Sequence, residues 1–322
     1  MKRFFAFLLC LLLLLPSALA EYPCFDIPPA VAGFYDRKVT ISYFRNRTSP
    51  DGELAVLDAQ GNQLAAIPIS AEQKSGAIAF SADSSFPPCQ TLRVVFRANG
   101  EETLQRECLL ALDEPERPGV YKVNTKEKKI AITFDTANGP GKTEALLKLL
   151  DRYHARCTFF IQGNFAFNHP ELVSLIAEKG HEIASHSLNH ADMRELEDEQ
   201  IYYQLTQANE VIEAASGKPV YLYRPPSGYF SYRDRAIAHA LGMEMILWTF
   251  DSLDGFSQRP QERVSQVMTE KSEPGAIILM HVYGHYTLPV LEEYLPRMEE
   301  QGYEFVTVTD LMQCAEEEEN AV

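Results

Sequence analysis

Side chains that can move protons or bind metal recur along the chain, each time just after a short apolar run. His186 and His190 stand four residues apart in His186-Ser187-Leu188-Asn189-His190. If a helix starts there, that spacing puts both imidazoles on one face, where they can share a metal ion at about 2.0–2.1 Å. Two unrelated surface histidines are the ordinary alternative. Asp135, in Thr133-Phe134-Asp135-Thr136, can act as general base on a water that a metal has made acidic, or can cap a following helix. His281, in Leu279-Met280-His281, can serve as general acid, because an imidazole of pKa ~6.5 holds and releases a proton near neutrality. Arg224, stiffened by Pro225 and Pro226, can pair with Asp135 and lower its pKa. Asp254 can orient His281 from behind. The N–H of Ser227 can face a developing oxyanion, whereas a serine nucleophile is disfavoured because no GxSxG elbow surrounds it. Taken singly, each has a plain reading as a buried bridge or a solvated loop residue; together, at successive strand ends, they point to one chemical site.

The elements that must position these residues alternate. Short apolar runs are followed by amphipathic stretches: Ile130–Asp135 then Lys142–Tyr153, Cys157–Ile161 then Pro170–Lys179, Ile183–His186 then Glu197–Ala215. Val220–Arg224 precedes Tyr232–Leu241, Met245–Phe250 precedes Pro260–Lys271, and Ile277–His281 precedes Leu288–Gln301, with Phe305–Val308 last. This pattern predicts a parallel sheet closed or nearly closed into a barrel, with chemistry at the C-terminal ends of its strands. Before residue 113 the pattern differs. Val39, Ile41 and Tyr43 alternate with more polar neighbours, and Leu54–Leu57 and Leu64–Ile67 flank a Gly61-containing turn. Such short strands predict a small all-β domain over 21–113, an Ig-like sandwich in character, acting as a sugar- or wall-binding module or as a spacer. A Pro- and Gly-bearing linker over 114–120 joins it to a second domain over 121–314, and 315–322 is an acidic tail.

The order TFDx, HSxxH, RxPxG, DxxD and LxH over residues 121–314 resembles the polysaccharide deacetylases of carbohydrate esterase family four, the NodB-homology domain. The resemblance implies an α/β fold, a distorted (β/α)7 barrel, and metal-dependent hydrolysis of N-acetyl or O-acetyl groups on a glycan. It implies that Asp135 is the base, that His186 and His190 ligate zinc or a similar divalent ion, and that Arg224 positions the base. By the same resemblance Asp254 supports the acid His281, Leu279 lines an acetyl pocket, and the N–H of Ser227 helps hold the oxyanion. Bacterial peptidoglycan is the polymer expected; a glycan-binding barrel without turnover is the alternative. The chain departs from the family twice. Thr136 stands where a second Asp usually supplies the third metal ligand, and Gly255 stands where Trp usually walls the groove.

Composition bounds the partners. The chain carries 29 Lys and Arg against 45 Asp and Glu, a net charge of −16. That excludes sequence-independent nucleic-acid binding, which needs clustered cations, and disfavours anionic lipid surfaces. Lys2-Arg3, the apolar run Phe4–Leu15 and Ala18-Leu19-Ala20 read as a signal peptide over 1–20. A secreted, cell-wall-associated protein without stable membrane insertion after cleavage is therefore expected. Export permits disulfides, and one pair among Cys24, Cys89 and Cys108 is anticipated. Asn46-Arg47-Thr48 matches the glycosylation tripeptide.

Overall fold

The computed structural model describes residues 25–34, 36–45, 50–115, 117–136 and 140–315. Residues 1–20, read above as a signal peptide, Cys24, the Asn46-Arg47-Thr48 tripeptide and the run Glu316–Glu319 lie outside the described residues. The chain divides into two compact units that meet at Leu110/Ala111.

The first unit is all β. Its strands are β1 (Phe25–Asp26), β2 (Ala30–Gly33), β3 (Arg37–Arg45), β4 (Gly52–Leu57), β5 (Gln63–Ile69), β6 (Ser75–Ala82), β7 (Cys89–Ala98) and β8 (Glu101–Leu112). They form one sheet of order β1-β3-β6 and another of order β2-β8-β7-β4-β5. In β3, Val39, Ile41, Tyr43 and Arg45 are buried and the residues between them exposed, as the period-2 pleat requires. Phe25 of one sheet reaches Phe96 of the other, ring centroids 5.0 Å apart. The β4–β5 turn is held by Asp58, whose Oδ1 accepts from the N–H of Gln60 (2.9 Å) and of Asn62 (2.7 Å), while Gly61 takes φ 88°. Cys89 is an exposed free thiol, so neither anticipated pairing that uses it is formed; a Cys24–Cys108 bridge would involve a residue outside those described.

The second unit alternates as the sequence pattern predicts. In chain order it contains β9 (Lys129–Thr136), α1 (Thr143–Arg152), β10 (Thr158–Ile161), α2 (Gly163–Asn168), α3 (Pro170–Glu178), β11 (Glu182–Ser185), α4 (Asp198–Ser216) and β12 (Leu222–Tyr223). There follow α5 (Tyr232–Ala240), β13 (Glu244–Met245), β14 (Phe250–Asp251), α6 (Gln261–Lys271), β15 (Ile277–His281), α7 (Thr287–Glu300), β16 (Glu304–Phe305) and α8 (Val308–Met312). Local signals explain the boundaries. Pro170 opens α3, a Glu197/Gln200 capping box opens α4, and left-handed Gly217 ends it.

All eight strands of this unit are parallel, in the order β13-β12-β11-β10-β9-β15-β14, with β16 also on β9. The run predicted as one strand, Met245–Phe250, is instead divided. Its beginning pairs with β12 and its end with β15, while Leu247 and Met245 exchange backbone bonds with Val120 between them. One continuous stretch therefore carries both ends of the sheet, which curls accordingly. Every second strand residue points inward. Ala131, Phe160, Ala184, Leu222, Ile246 and Ile277 form an interior apolar layer, closed below by Val308 and Leu311 of α8. Asp113 is buried and receives a bidentate bond from Arg235 of α5 (2.9 and 2.8 Å), so the last residue of the expected β domain is anchored in the second unit. Among the described residues no helix is long and apolar enough to cross a membrane.

Candidate active site

Continuing the inward alternation beyond the apolar layer brings polar residues to the C-terminal rim. Asp135 follows Ala131 and Thr133, His186 follows Ala184, Arg224 follows Leu222, and His281 follows Ile277 and Leu279. Arg224 is fully enclosed. Its Nη1 donates to Asp135 Oδ1 at 2.9 Å, its Nη2 to the Leu247 carbonyl at 2.9 Å and its Nε to the Ile246 carbonyl at 3.4 Å. The guanidinium also lies 3.8 Å from the centroid of the Phe160 ring. A cation held on so many sides fixes the carboxylate in turn. Burial alone would raise the Asp135 carboxyl, but the charges of His186, Arg224 and His281 outweigh it and hold the group below its ordinary range. Asp135 is therefore ionised at neutral pH.

His186 and His190 meet without a helix. The segment after β11 is a loop in which Ser187 (φ 62°) and His190 (φ 65°) are both left-handed, and this bend replaces the helical turn expected from the spacing. Gln204 of α4 secures it, its Oε1 accepting from the N–H of Leu188 (3.2 Å) and of Asn189 (3.3 Å). The two imidazole centroids lie 5.0 Å apart at 75°. His186 is buried, and burial pushes its pKa down. Its Nδ1–H donates to the Arg224 carbonyl at 3.0 Å, which turns Nε2 toward Asp135 Oδ2, 3.4 Å away. A nitrogen and an oxygen at that distance can share a proton or a cation between them. The donor set thus suits a divalent ion that accepts nitrogen ligands, although among the described residues no three His, Cys, Asp or Glu side chains are grouped to hold one.

On the opposite wall His281 Nδ1–H donates to Asp254 Oδ1 at 2.8 Å. Asp254, fully buried, also accepts from Ser252 Oγ (2.9 Å), from the His281 N–H (3.0 Å) and from Thr287 Oγ1 (2.5 Å). Burial lowers the His281 pKa, but the bond to Asp254 and the charges of Asp254, Asp135 and Asp251 raise it more, so it stands above the ordinary imidazole value. The cleft therefore sets a carboxylate held low against an imidazole held high. Such a divergence separates a base from an acid.

The cleft has a volume of about 260 Å³ and is lined by Asp135, His186, His190 and His281, together with Gln162, Asn189 and Tyr283. Three residues implicated by sequence lie elsewhere. Thr136 is one step past inward-facing Asp135, so the pleat turns it to the helix side; it is fully buried, its hydroxyl 3.5 Å from the Phe134 carbonyl. Leu279 is buried in the strand below His281, and Ser227 is exposed with φ 57°; neither lines the cleft. Gly255 has a local cause. A Cβ there would stand 2.9 Å from His281 Nδ1, so any larger residue must displace the imidazole or the backbone.

Gln162 and Tyr283 escape the motif reading, yet each carries a signal. Gln162 directly follows the second apolar run, two residues beyond the interior Phe160, and Tyr283 lies two beyond His281. Burial and the carboxylates of Asp135, Asp254 and Asp251 push the Tyr283 phenol up to about 12, so it remains a neutral hydroxyl beside His281, ring centroids 5.1 Å apart. A larger groove of about 520 Å³ between α6 and α7 holds no histidine. Its Glu293 accepts from Gln261 and Ser265, and its Glu270 from Gln266, so it has no comparable poise.

Known proteins resemble this chain. Residues 122–246 match the family model "Polysaccharide deacetylase". The peptidoglycan-N-acetylmuramic acid deacetylase PdaA of Bacillus subtilis (strain 168) is 32% identical over 195 residues, 60% of this chain and 74% of PdaA. A peptidoglycan-N-acetylglucosamine deacetylase of Bacillus cereus is 33% identical over 204 residues, 62% of this chain and 95% of that one. The match to YlxY of B. subtilis, 35% identical over 193 residues, spans only 60% of each chain. In three dimensions PdaA superposes with a TM-score of 0.58 at 30% identity, covering 62% of this chain and 86% of PdaA. A mutant of BA3943, described as a CE4 family pseudoenzyme with restored enzymatic activity, superposes at 0.60 with 25% identity, covering 70% of this chain and 88% of the mutant.

Proposed function

The chain belongs to the polysaccharide deacetylase family, and on that premise we propose that it hydrolyses acetyl groups from an acetylated glycan, with bacterial peptidoglycan as the polymer. The observation that carries this reading is the poise of the cleft, with an Asp135 carboxyl held below its ordinary range beside a His281 imidazole held above its own and bonded to Asp254. In the reaction Asp135 takes a proton from the attacking water as oxygen bonds to the acetyl carbon. His281 then delivers its proton to the leaving nitrogen as the carbon–nitrogen bond breaks, giving acetate and a free amine. Arg224 and Asp254 touch neither reacting atom and act as positioning residues. His186 and His190 would hold a divalent ion, zinc by preference for imidazole. When bound, it would polarise the acetyl carbonyl and acidify the attacking water. We read the curled sheet and its helices as a distorted (β/α)7 barrel, the first unit as an Ig-like sandwich, and the protein as secreted and cell-wall associated, in keeping with a polymer that lies outside the cell.

A second reading is glycan binding without turnover. It is favoured by the absence of a carboxylate at Thr136 and by the likeness to a family pseudoenzyme. The readings separate on acetate release from peptidoglycan, chitin oligomers and acetylxylan. Release from peptidoglycan that stops on chelation and returns with zinc is expected; binding to any of the three with no acetate formed would establish the second reading.

Gly255→Ala is expected to lower kcat about 10-fold or more, the scale on which small misplacements of reacting groups act, because its Cβ intrudes on His281. Steady-state kinetics with the purified variant check this. An unchanged kcat would mean that His281 tolerates displacement and that its fixed position is not used.

A further inference from the structure

We infer that the side-chain oxygen of Gln162 is the third protein ligand of the divalent ion held by His186 and His190, an assignment that rests on the deacetylase reading above. The backbone places Gln162 directly against the two histidines. Immediately before it, the Ile161 carbonyl accepts from the His186 N–H at 2.8 Å. Immediately after it, the Gly163 N–H donates to the Ser187 carbonyl and the Asn164 N–H to the Leu188 carbonyl, both at 2.9 Å. The approach is close enough that a Cβ at Gly163 would stand 2.8 Å from the Leu188 side chain and 3.0 Å from Ala208 Cα, so a larger residue would crowd the two segments. Gln162 is also two residues beyond Phe160, whose ring lies in the barrel interior, and the pleat therefore turns its side chain to the cleft it lines.

The other cleft oxygens are excluded in turn. Thr136 lies one residue off the inward alternation and is enclosed. Asn189 Oδ1 already accepts from the Ala191 N–H at 3.2 Å. Asp135 Oδ1 is taken by Arg224 and its Oδ2, on the deacetylase reading, is kept for the proton of the attacking water, while the Tyr283 hydroxyl remains protonated. Gln162 is the N-cap of α2, yet its side chain makes no capping bond, so its carboxamide is left for other use. A carboxamide oxygen is a neutral, hard ligand. It completes the coordination with less charge than a carboxylate, so the ion is held more loosely and its pull on bound oxygen is less compensated.

The test is competition of the full-length protein against a fluorescent zinc chelator, for wild type, Gln162→Ala, Gln162→Glu and His190→Ala, each first checked for an unchanged thermal midpoint. Gln162→Ala is expected to weaken zinc binding by about 10–100-fold, the range seen when a metal site loses a supporting group. Gln162→Glu, isosteric but anionic, is expected to bind more tightly than wild type and keeps the question open to measurement if the alanine variant folds poorly. If His190→Ala loses zinc while both Gln162 variants stay within threefold of wild type, Gln162 is not a ligand although the histidine pair is. If wild type and His190→Ala hold zinc equally, the metal assignment itself fails, and this inference with it.

Discussion

Asp135→Asn is expected to reduce acetate release by about 10²–10⁴-fold, the usual worth of a general base, or roughly 3–5 kcal/mol of barrier. The amide keeps the shape of the carboxylate and can still accept the Arg224 bond, but it cannot take a proton. The thermal midpoint should move by only a few degrees because two effects oppose. Removing a buried charge relieves the desolvation that presses hardest on this group, while Arg224 and His186 lose the anion that balances them. Initial rates of acetate release and a melting curve on the same preparation check both halves. A variant within threefold of wild type would remove Asp135 from the chemistry.

The second large effect is expected from Asp254→Asn. Asp254 accepts every hydrogen bond offered to it, from His281 twice and from Ser252 and Thr287 once each. An amide presents two hydrogens to that all-donor environment, so the imidazole loses both its orientation and its counter-charge. A fall in kcat of about 10²–10⁴-fold follows, comparable to mispositioning a proton-transfer group. The pH profile gives a sharper readout. His281 must be protonated to act, and its raised pKa sets the alkaline limb. Without the Asp254 charge that pKa falls, so the limb moves to lower pH. Stability follows the same sign. A raised folded pKa contributes stability that is fully present below the unfolded imidazole value and lost as pH rises through the folded one. The wild-type advantage over the variant should therefore shrink across that window. A limb that does not move would show that Asp254 supports the fold alone.

The fold was largely legible because its signals are local. Alternation in β3, the capping box of α4 and Pro170 at the start of α3 each report on a few neighbouring residues. Asp135, Arg224, His186 and His281 were legible because they follow apolar runs, and the pleat does bring them to one rim. Failures arose where position depends on distant chain. Met245–Phe250 reads as one strand, yet its two ends answer to different neighbours. The His186–His190 spacing suits a helix, but left-handed Ser187 and His190 close the gap in a loop held by Gln204. Thr136, which stands where the family resemblance expects a third metal ligand, is enclosed, with its hydroxyl 3.5 Å from the Phe134 carbonyl. Gln162 was hidden because a carboxamide carries no chemical signature until its neighbours are known.

The stretch that carries both ends of the curled sheet has a consequence for how the protein can change. Its Ile246 and Leu247 carbonyls grip the guanidinium that steadies Asp135, and a few residues later it supplies Asp254, which steadies His281. Asp135 and His281, proposed as proton acceptor and donor, are thus steadied from one piece of backbone. Inserting or deleting a residue between Leu247 and Asp254 would retune both at once, and substitutions that compensate at one end will be felt at the other. Variation in this segment should accordingly be epistatic, with pairs of changes tolerated together that are damaging apart, whereas loops that serve a single side of the cleft are free to diverge independently.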